Sequence, residues 1–275
     1  MSALRRLLSA LVDERAVLVE VESTQGSAPR EAGTWMAVFA DRTVATIGGG
    51  RLEFDAIAEA RRLLDGGPAG EPLRRYALGP SLGQCCGGVV FLRYTAVGQD
   101  DIPALRSRLA GRQVPVALFG GGHVGAALAR VLAALPFSLS WIDSRDEIFP
   151  LDVAQGDGDL VCEHSDPVHA AVPGLAPQSR VLIMSFSHAE DLDVVAACLQ
   201  RQRSRGDLPF IGLIGSKTKW ATFRSRLLAR GFTEAELQHV TCPIGVPGIH
   251  GKEPEVIAVA VAAQLLQTLE AARGP

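Results

Sequence analysis

A chain of 275 residues is long enough for two hydrophobic cores, or one large one, at about 100–200 residues per domain. Apolar residues make up 47% and charged residues 21%, the balance of a folded globular protein. A net charge of -3 without a long basic run speaks against a nucleic-acid partner and against an anionic membrane surface.

The N-terminal stretch MSALRRLLSALVDERA reads as a short amphipathic helix. It is too short to span a membrane and lacks the apolar run of a signal peptide, so a cytoplasmic protein is expected. Short apolar runs and turn signals then alternate, predicting strands over Ala16–Glu22, Trp35–Ala40 and Arg42–Ile47. Gly48, Gly49 and Gly50 end the third strand, and a helix is predicted over Leu52–Leu64. Strands over Leu73–Ala77 and Val89–Tyr94 complete this region, with GPSLGQCCGG between them. Residues 1–98 are expected as an N-terminal α+β domain, and residues 99–113 as a connector with a helix over Ile102–Leu109.

From Val114 onward strands alternate with helices. A buried run ends at Gly120, a small-residue helix extends to about Ala134, and Ser138–Ile142 is the next strand. Further strands are predicted over Asp159–Cys162, Arg180–Phe186 and Phe210–Ile214. Helices are expected over Asp191–Gln202, Lys217–Ala229 and Glu253–Ala271. Such alternation predicts a Rossmann-type, doubly wound parallel sheet over residues 114–275, so the fold class is α/β with an α+β domain in front.

Gly120, Gly122 and Gly125 of the GGGHVG turn, which also carries His123, satisfy G-x-G-x-x-G. The turn follows a strand, opens a helix, and Asp143 lies 23 residues after Gly120. In a dinucleotide fold the glycines allow a tight turn and close approach to a pyrophosphate on the helix N-terminus. Asp143 would accept from a ribose and Arg145 would meet a phosphate. The alternative is an inherited turn that only packs.

Cysteines stand at 85, 86, 162, 198 and 242, an odd number without the spacing of a disulfide framework. Cys162 and Cys198 lie in apolar runs and read as small core residues. Cys85 and Cys86 are different, being adjacent and bracketed by glycines. No second ligand pair for tetrahedral zinc accompanies them. On a glycine-bracketed turn a thiolate can be presented beside backbone amides, with Gln84 and Gly87 next to it, which suits a soft metal or a sulfur-rich ligand. The plain alternative is buried filler beside a tight turn.

With TQGSAPREAGTWM, TIGGGRLE, GPSLGQCCGG, and GGGHVG paired with DSRDEIFP, the chain resembles the bacterial XdhC/CoxI family, the xanthine dehydrogenase accessory factors. FIGLIGSKTKW and the terminal PIGVPG and EPEVIAVAVAAQLL segments continue the likeness over nearly the whole chain. The resemblance implies a cytoplasmic chaperone that binds molybdenum cofactor (molybdopterin) and protects it. It also implies help in its sulfuration with a cysteine desulfurase, and delivery to a xanthine dehydrogenase-type molybdenum hydroxylase. By position, Cys85 or Cys86 would contact molybdenum or its labile sulfur. One segment departs from the family pattern T-H-x-H-x-x-D: here it reads Ser187-His188-Ala189-Glu190-Asp191-Leu192-Asp193, with Glu190 in place of the second histidine. His188 keeps its place.

A phosphate-bearing pterin dithiolene needs anion donors. Ser27 and Arg30 of the GSAPR loop offer a hydroxyl and a guanidinium fork. Gly49 within the glycine triplet would allow close backbone approach. Ser216, Lys217 and Lys219 at the start of a helix offer another anion site. Each has an ordinary counterpart: a helix cap, a solvated cation or a turn that needs glycine. The competing reading is an NAD(P)-dependent oxidoreductase using the GGGHVG turn, and a third is a thiol redox or metal-trafficking module. The helix over Glu253–Ala271 is apolar around much of its circumference, which predicts a homodimer.

Overall fold

The structure, a computed structural model, describes residues 3–68, 70–78, 87–109, 113–150 and 160–271. The chain divides into two compact units, residues 2–111 and 112–275.

The first unit begins with α1 (Ala3–Ala10), followed by β1 (Ala16–Gln25), β2 (Trp35–Val38), β3 (Thr43–Ala45), α2 (Gly50–Leu64), β4 (Leu73–Ala77), β5 (Val89–Val97) and α3 (Ile102–Leu109). The strands form an antiparallel sheet in the order β3-β2-β1-β5-β4. Side chains alternate across it, as a pleated strand requires. Val17, Val19 and Val21 of β1 face Leu52, Ala56 and Ala60 of α2. Ala16 and Leu18 face the opposite side, where Leu7, Leu8 and Leu105 of α1 and α3 close a second core. Residues 99–109, read from sequence as a connector, thus supply a 3-10 turn and a helix whose Leu105 belongs to this unit's core.

β3 is shorter than its apolar run suggests. Ala45 takes a φ of 65°, which breaks the extended path, and the Ile47 amide is taken by Glu53 instead of a neighbouring strand.

The second unit contains β6 (Val114–Phe119), α4 (His123–Leu132), β7 (Phe137–Asp143), β8 (Leu160–His164), β9 (Arg180–Ile183), α5 (His188–Arg205), β10 (Phe210–Leu213), α6 (Lys217–Ala229), α7 (Glu234–Leu237), β11 (Val240–Thr241) and α8 (Pro254–Ala271). All strand pairs in it are parallel, in the order β11-β10-β9-β6-β7-β8. Ala117 and Phe119 of β6 pack with α5 and α6 on one face. Val116 and Leu118 pack with α4 and α8 on the other. This is the doubly wound architecture expected from the alternation of strands and helices.

From β6 the chain runs outward through β7 and β8, then returns to the other side of β6 for β9, β10 and β11. The reversal falls between β6 and β9. In open α/β sheets the crevice beyond the strand C-termini at such a point is where ligands bind.

Candidate functional site

In the first unit three motifs that are distant in sequence meet at one place. β1 ends at Gln25, and Gly26 turns the chain into the GSAPR loop with a φ of 72°. A Cβ on Gly88 would be driven into the Ser27 carbonyl oxygen and would stand 2.6 Å from that of Gln25. Only glycine permits this approach. Gly48, with a φ of 121°, lies so close to the same loop that a Cβ there would be 2.8 Å from Pro29 Cβ and 3.3 Å from Arg30 Cγ. The glycine triplet and the return end of the cysteine motif therefore both pack on the GSAPR loop.

Glu53 fixes the glycine triplet. From the first turn of α2 its Oε2 accepts from the Ile47 amide at 3.0 Å, the Gly49 amide at 3.1 Å, and the Thr46 hydroxyl. Sequence reading passed over Glu53, although an acid in a helix's first turn after a glycine cap is an interpretable sign. Gly49 caps α2 with a φ of 75° and has open space where a Cβ would be. Ser27 and Arg30 are exposed. Among the described residues the Arg30 guanidinium has no ion-pair partner.

Gln84, Cys85 and Cys86 lie outside the described residues. The residues on either side of that segment are fixed: Leu78 N–H donates to the Gly88 carbonyl at 2.7 Å, and Ala77 pairs with Val89. Gly87, at the return, is exposed. The cysteines that are described offer no ready thiolate. Burial pushes the Cys198 thiol up to about 12 and raises Cys162 as well. It also raises Cys242, against a smaller opposing pull from Lys219. Among the described residues no group of three His, Cys, Asp or Glu side chains is arranged to hold a metal ion.

In the second unit the glycine-rich turn closes β6. Gly120 has a φ of 121°, and a Cβ on it would be driven into the Met184 carbonyl oxygen. A Cβ on Gly125 would strike the Gly120 carbonyl oxygen, which accepts from Trp141 Nε1 at 2.8 Å. Gly122 differs from both: it is the N-cap of α4, with nothing within 4 Å of a Cβ position. His123 begins the helix and is exposed.

Asp143 is 1% exposed at the end of β7. Its Oδ2 accepts from the Gly121 amide at 2.5 Å and from Arg145 Nη2 at 2.9 Å. Its Oδ1 accepts from the Arg145 amide and Nε, both at 2.9 Å. Burial pushes its carboxyl up, but the Arg145 guanidinium and the two amides outweigh this and hold it below the ordinary range. In this arrangement the carboxylate braces the turn and its oxygens are already engaged. The Arg145 guanidinium also stacks 4.6 Å from the centre of the Phe186 ring.

Across the switch point, Ser187 caps α5 by accepting from the Glu190 amide at 3.2 Å. His188 is exposed in the helix's first turn, edge-on to Phe223 at 6.2 Å. Glu190 Oε1 accepts from the Ser144 hydroxyl at 2.6 Å. The neighbouring Asp191 is 2% exposed, accepting from the Ser185 amide at 2.7 Å and from Lys219 Nζ at 2.6 Å. Lys219 also donates to the Ile214 carbonyl at 2.8 Å. Ser216 caps α6 through the Lys219 amide. The geometry thus gives Ser216 and Lys219 structural partners, tying β9, α5, β10 and α6 together.

The fold and these motifs define a two-unit α/β protein: a glycine-braced antiparallel-sheet unit followed by a Rossmann-type unit. Residues 116–265 match the XdhC Rossmann domain and residues 11–77 match the XdhC and CoxI family. The chain belongs to the XdhC/CoxI family. A solved structure of a xanthine dehydrogenase from Bacillus halodurans superposes with a TM-score of 0.73 at 19% identity, over 98% of this chain and 96% of that one. It has the same fold. The uncharacterized protein YqeB of Escherichia coli (strain K12) is 24% identical over 94% of this chain, which spans 44% of that relative's length. Among the described residues, no helix is long and apolar enough to cross a membrane.

Proposed function

We propose that this protein is a xanthine dehydrogenase accessory factor that binds molybdenum cofactor in its first unit. The observation that carries this reading is the packing of the glycine triplet and the return end of the cysteine motif on the GSAPR loop. The donors there fit the group. Arg30 and Ser27 are exposed on that loop, and the first-turn amides of α2 follow the open Gly49. These are the donors a phosphate needs. Cys85 and Cys86, with Gln84 and Gly87 beside them, supply the soft sulfur ligands that molybdenum or its labile sulfur would accept.

The bound cofactor supplies redox and sulfur chemistry to a client enzyme, and the chain's own residues hold and shield it. The client is a xanthine dehydrogenase-type molybdenum hydroxylase, and a cysteine desulfurase is the partner that supplies the sulfur. Both belong in the cytoplasm. The Rossmann turn, with its open Gly122, takes a nucleotide such as NAD(P) as a binding ligand. Family membership does not favour hydride transfer. The exposed Val259 and Leu266 of α8, seven residues apart on one helix face, form the homodimer contact.

To test this, the purified full-length chain is loaded anaerobically with molybdenum cofactor, gel-filtered, and mixed with cofactor-free xanthine dehydrogenase. Pterin and molybdenum co-eluting with the protein, and client activity that rises only with the loaded chain, are expected. Cys85→Ala or Cys86→Ala should reduce that rise. Absence of co-elution contradicts the proposal.

A further inference from the structure

Asp143 has no oxygen to spare for a ligand, yet a second carboxylate stands beside it. Glu190, in the first turn of α5, is held against Ser144, the residue that directly follows β7. Its Oε2 is closed from solvent and has no hydrogen-bond partner. The Ser185 hydroxyl, just beyond β9, is in the same condition. Polar atoms left this way are costly and rare in native proteins. Here there are two on the segment that follows β9, Ser185 just beyond the strand and Glu190 in the first turn of α5, and β9 pairs with β6, whose C-terminal end carries the glycine-rich turn.

We propose that the Rossmann-type crevice binds a ribose-bearing nucleoside diphosphate and that Glu190, not Asp143, receives the ribose hydroxyls. The assignment rests on the nucleotide reading of the Rossmann turn given above. An ionised carboxylate only accepts, so its partner must be a donor, while a serine hydroxyl does either. A vicinal diol satisfies both atoms at once. In dinucleotide folds the ribose lies at the end of the second strand, and that is where Ser144 holds Glu190. The diphosphate has the open face of Gly122 and the first-turn amides of α4. Phe186, 66% exposed and stacked on Arg145, offers a flat apolar surface to a planar base. Arg145 lies close enough for Glu190 to act on its charge. The exposed Phe186 ring is the part of the wall that shifts to admit the sugar, while Arg145 stays on Asp143. The position that departs from the family pattern, Glu190 for histidine, thereby acquires a specific task.

The test is calorimetric titration of the full chain with ADP and with 2′-deoxy-ADP. Saturable ADP binding is expected, weakened about tenfold by Glu190→Gln and by Ser185→Ala, the size of one lost hydrogen bond to a charged group. The deoxy analogue should bind about as weakly to the wild type as ADP does to Glu190→Gln, and the substitution should weaken it no further. The thermal midpoint of Glu190→Gln should equal or exceed that of the wild type, showing an intact fold. Absence of ADP binding by the wild type defeats the nucleotide reading and this assignment together. ADP binding that Glu190→Gln and Ser185→Ala leave unchanged preserves the nucleotide reading and overturns the assignment of Glu190.

Discussion

Asp143 receives hydrogen bonds from the Gly121 amide and from the amide, Nε and Nη2 of Arg145, all within 2.9 Å. These bonds require the ionised form, which is why its carboxyl titrates below the ordinary range. The folded state therefore gains stability from Asp143 above the unfolded carboxyl pKa of about 4, and loses it as pH falls below that value. Asp143→Asn should cost about 3 kcal/mol at pH 7, on the scale of breaking a buried pair. The deficit should narrow below about pH 4, where the carboxyl of the unfolded wild-type chain takes up a proton that the folded one still refuses. Urea unfolding at pH 7 and pH 3.5 measures both, and an equal deficit at the two pH values contradicts the account. The sequence shows a G-x-G-x-x-G turn followed by an acid at strand spacing, and that pattern reads as a ribose contact. It cannot show that Arg145 folds back onto the same carboxylate, because a side-chain direction is a tertiary fact. The glycines divide similarly. Gly120→Ala forces a Cβ into the Met184 carbonyl from a left-handed backbone and should prevent folding of the second unit. Gly122→Ala meets open space. It should retain the wild-type circular dichroism spectrum and thermal midpoint.

Among the elements, the segment from β3 to α2 has the most built around it. Ala45, Gly48, Gly49 and Gly50 all take positive φ, and Glu53 gathers the amides that this path leaves unpaired. Glu53→Ala should destabilise the first unit by about 1–2 kcal/mol, the range of a lost helix cap. Gly88→Ala should act on the same place from the other side, by pushing apart the backbone of the GSAPR loop. Equilibrium denaturation of each variant checks this, and wild-type midpoints contradict it. Helix α5 shows how far local signals carry. The apolar periodicity starts at Asp191, but the helix begins at His188 because Ser187 caps it. The S-x-x-E spacing of Ser187 and Glu190 was available as a sign. The Thr233–Glu236 capping box likewise announces α7, a helix too short to show a period. β11, two residues long, has no local signal at all and exists because β10 offers it an edge.

For the molecule as a whole, strand and helix alternation made the Rossmann-type unit legible, since each period maps onto one covered sheet face. In the first unit, sequence shows three motifs but not that they meet, because contacts between loops depend on the antiparallel order β3-β2-β1-β5-β4. Two compact units with separate cores should melt independently, so scanning calorimetry should show two transitions, with Glu53→Ala shifting one alone. Sedimentation tests the proposed homodimer. Wild-type dimer and Val259→Asp/Leu266→Asp monomer are expected, and a wild-type monomer at all concentrations contradicts it.

The central claim is that the GSAPR loop, the glycine triplet and the cysteine motif hold one ligand. It is tested most directly by anaerobic equilibrium binding of molybdenum cofactor to the wild type, Arg30→Ala and Cys85→Ala/Cys86→Ala, with thermal midpoints measured alongside. Losing a charged hydrogen-bond donor to phosphate should weaken binding about tenfold or more in Arg30→Ala at an unchanged midpoint, and the cysteine variant should weaken it as well. Wild-type affinity in both variants would contradict the claim.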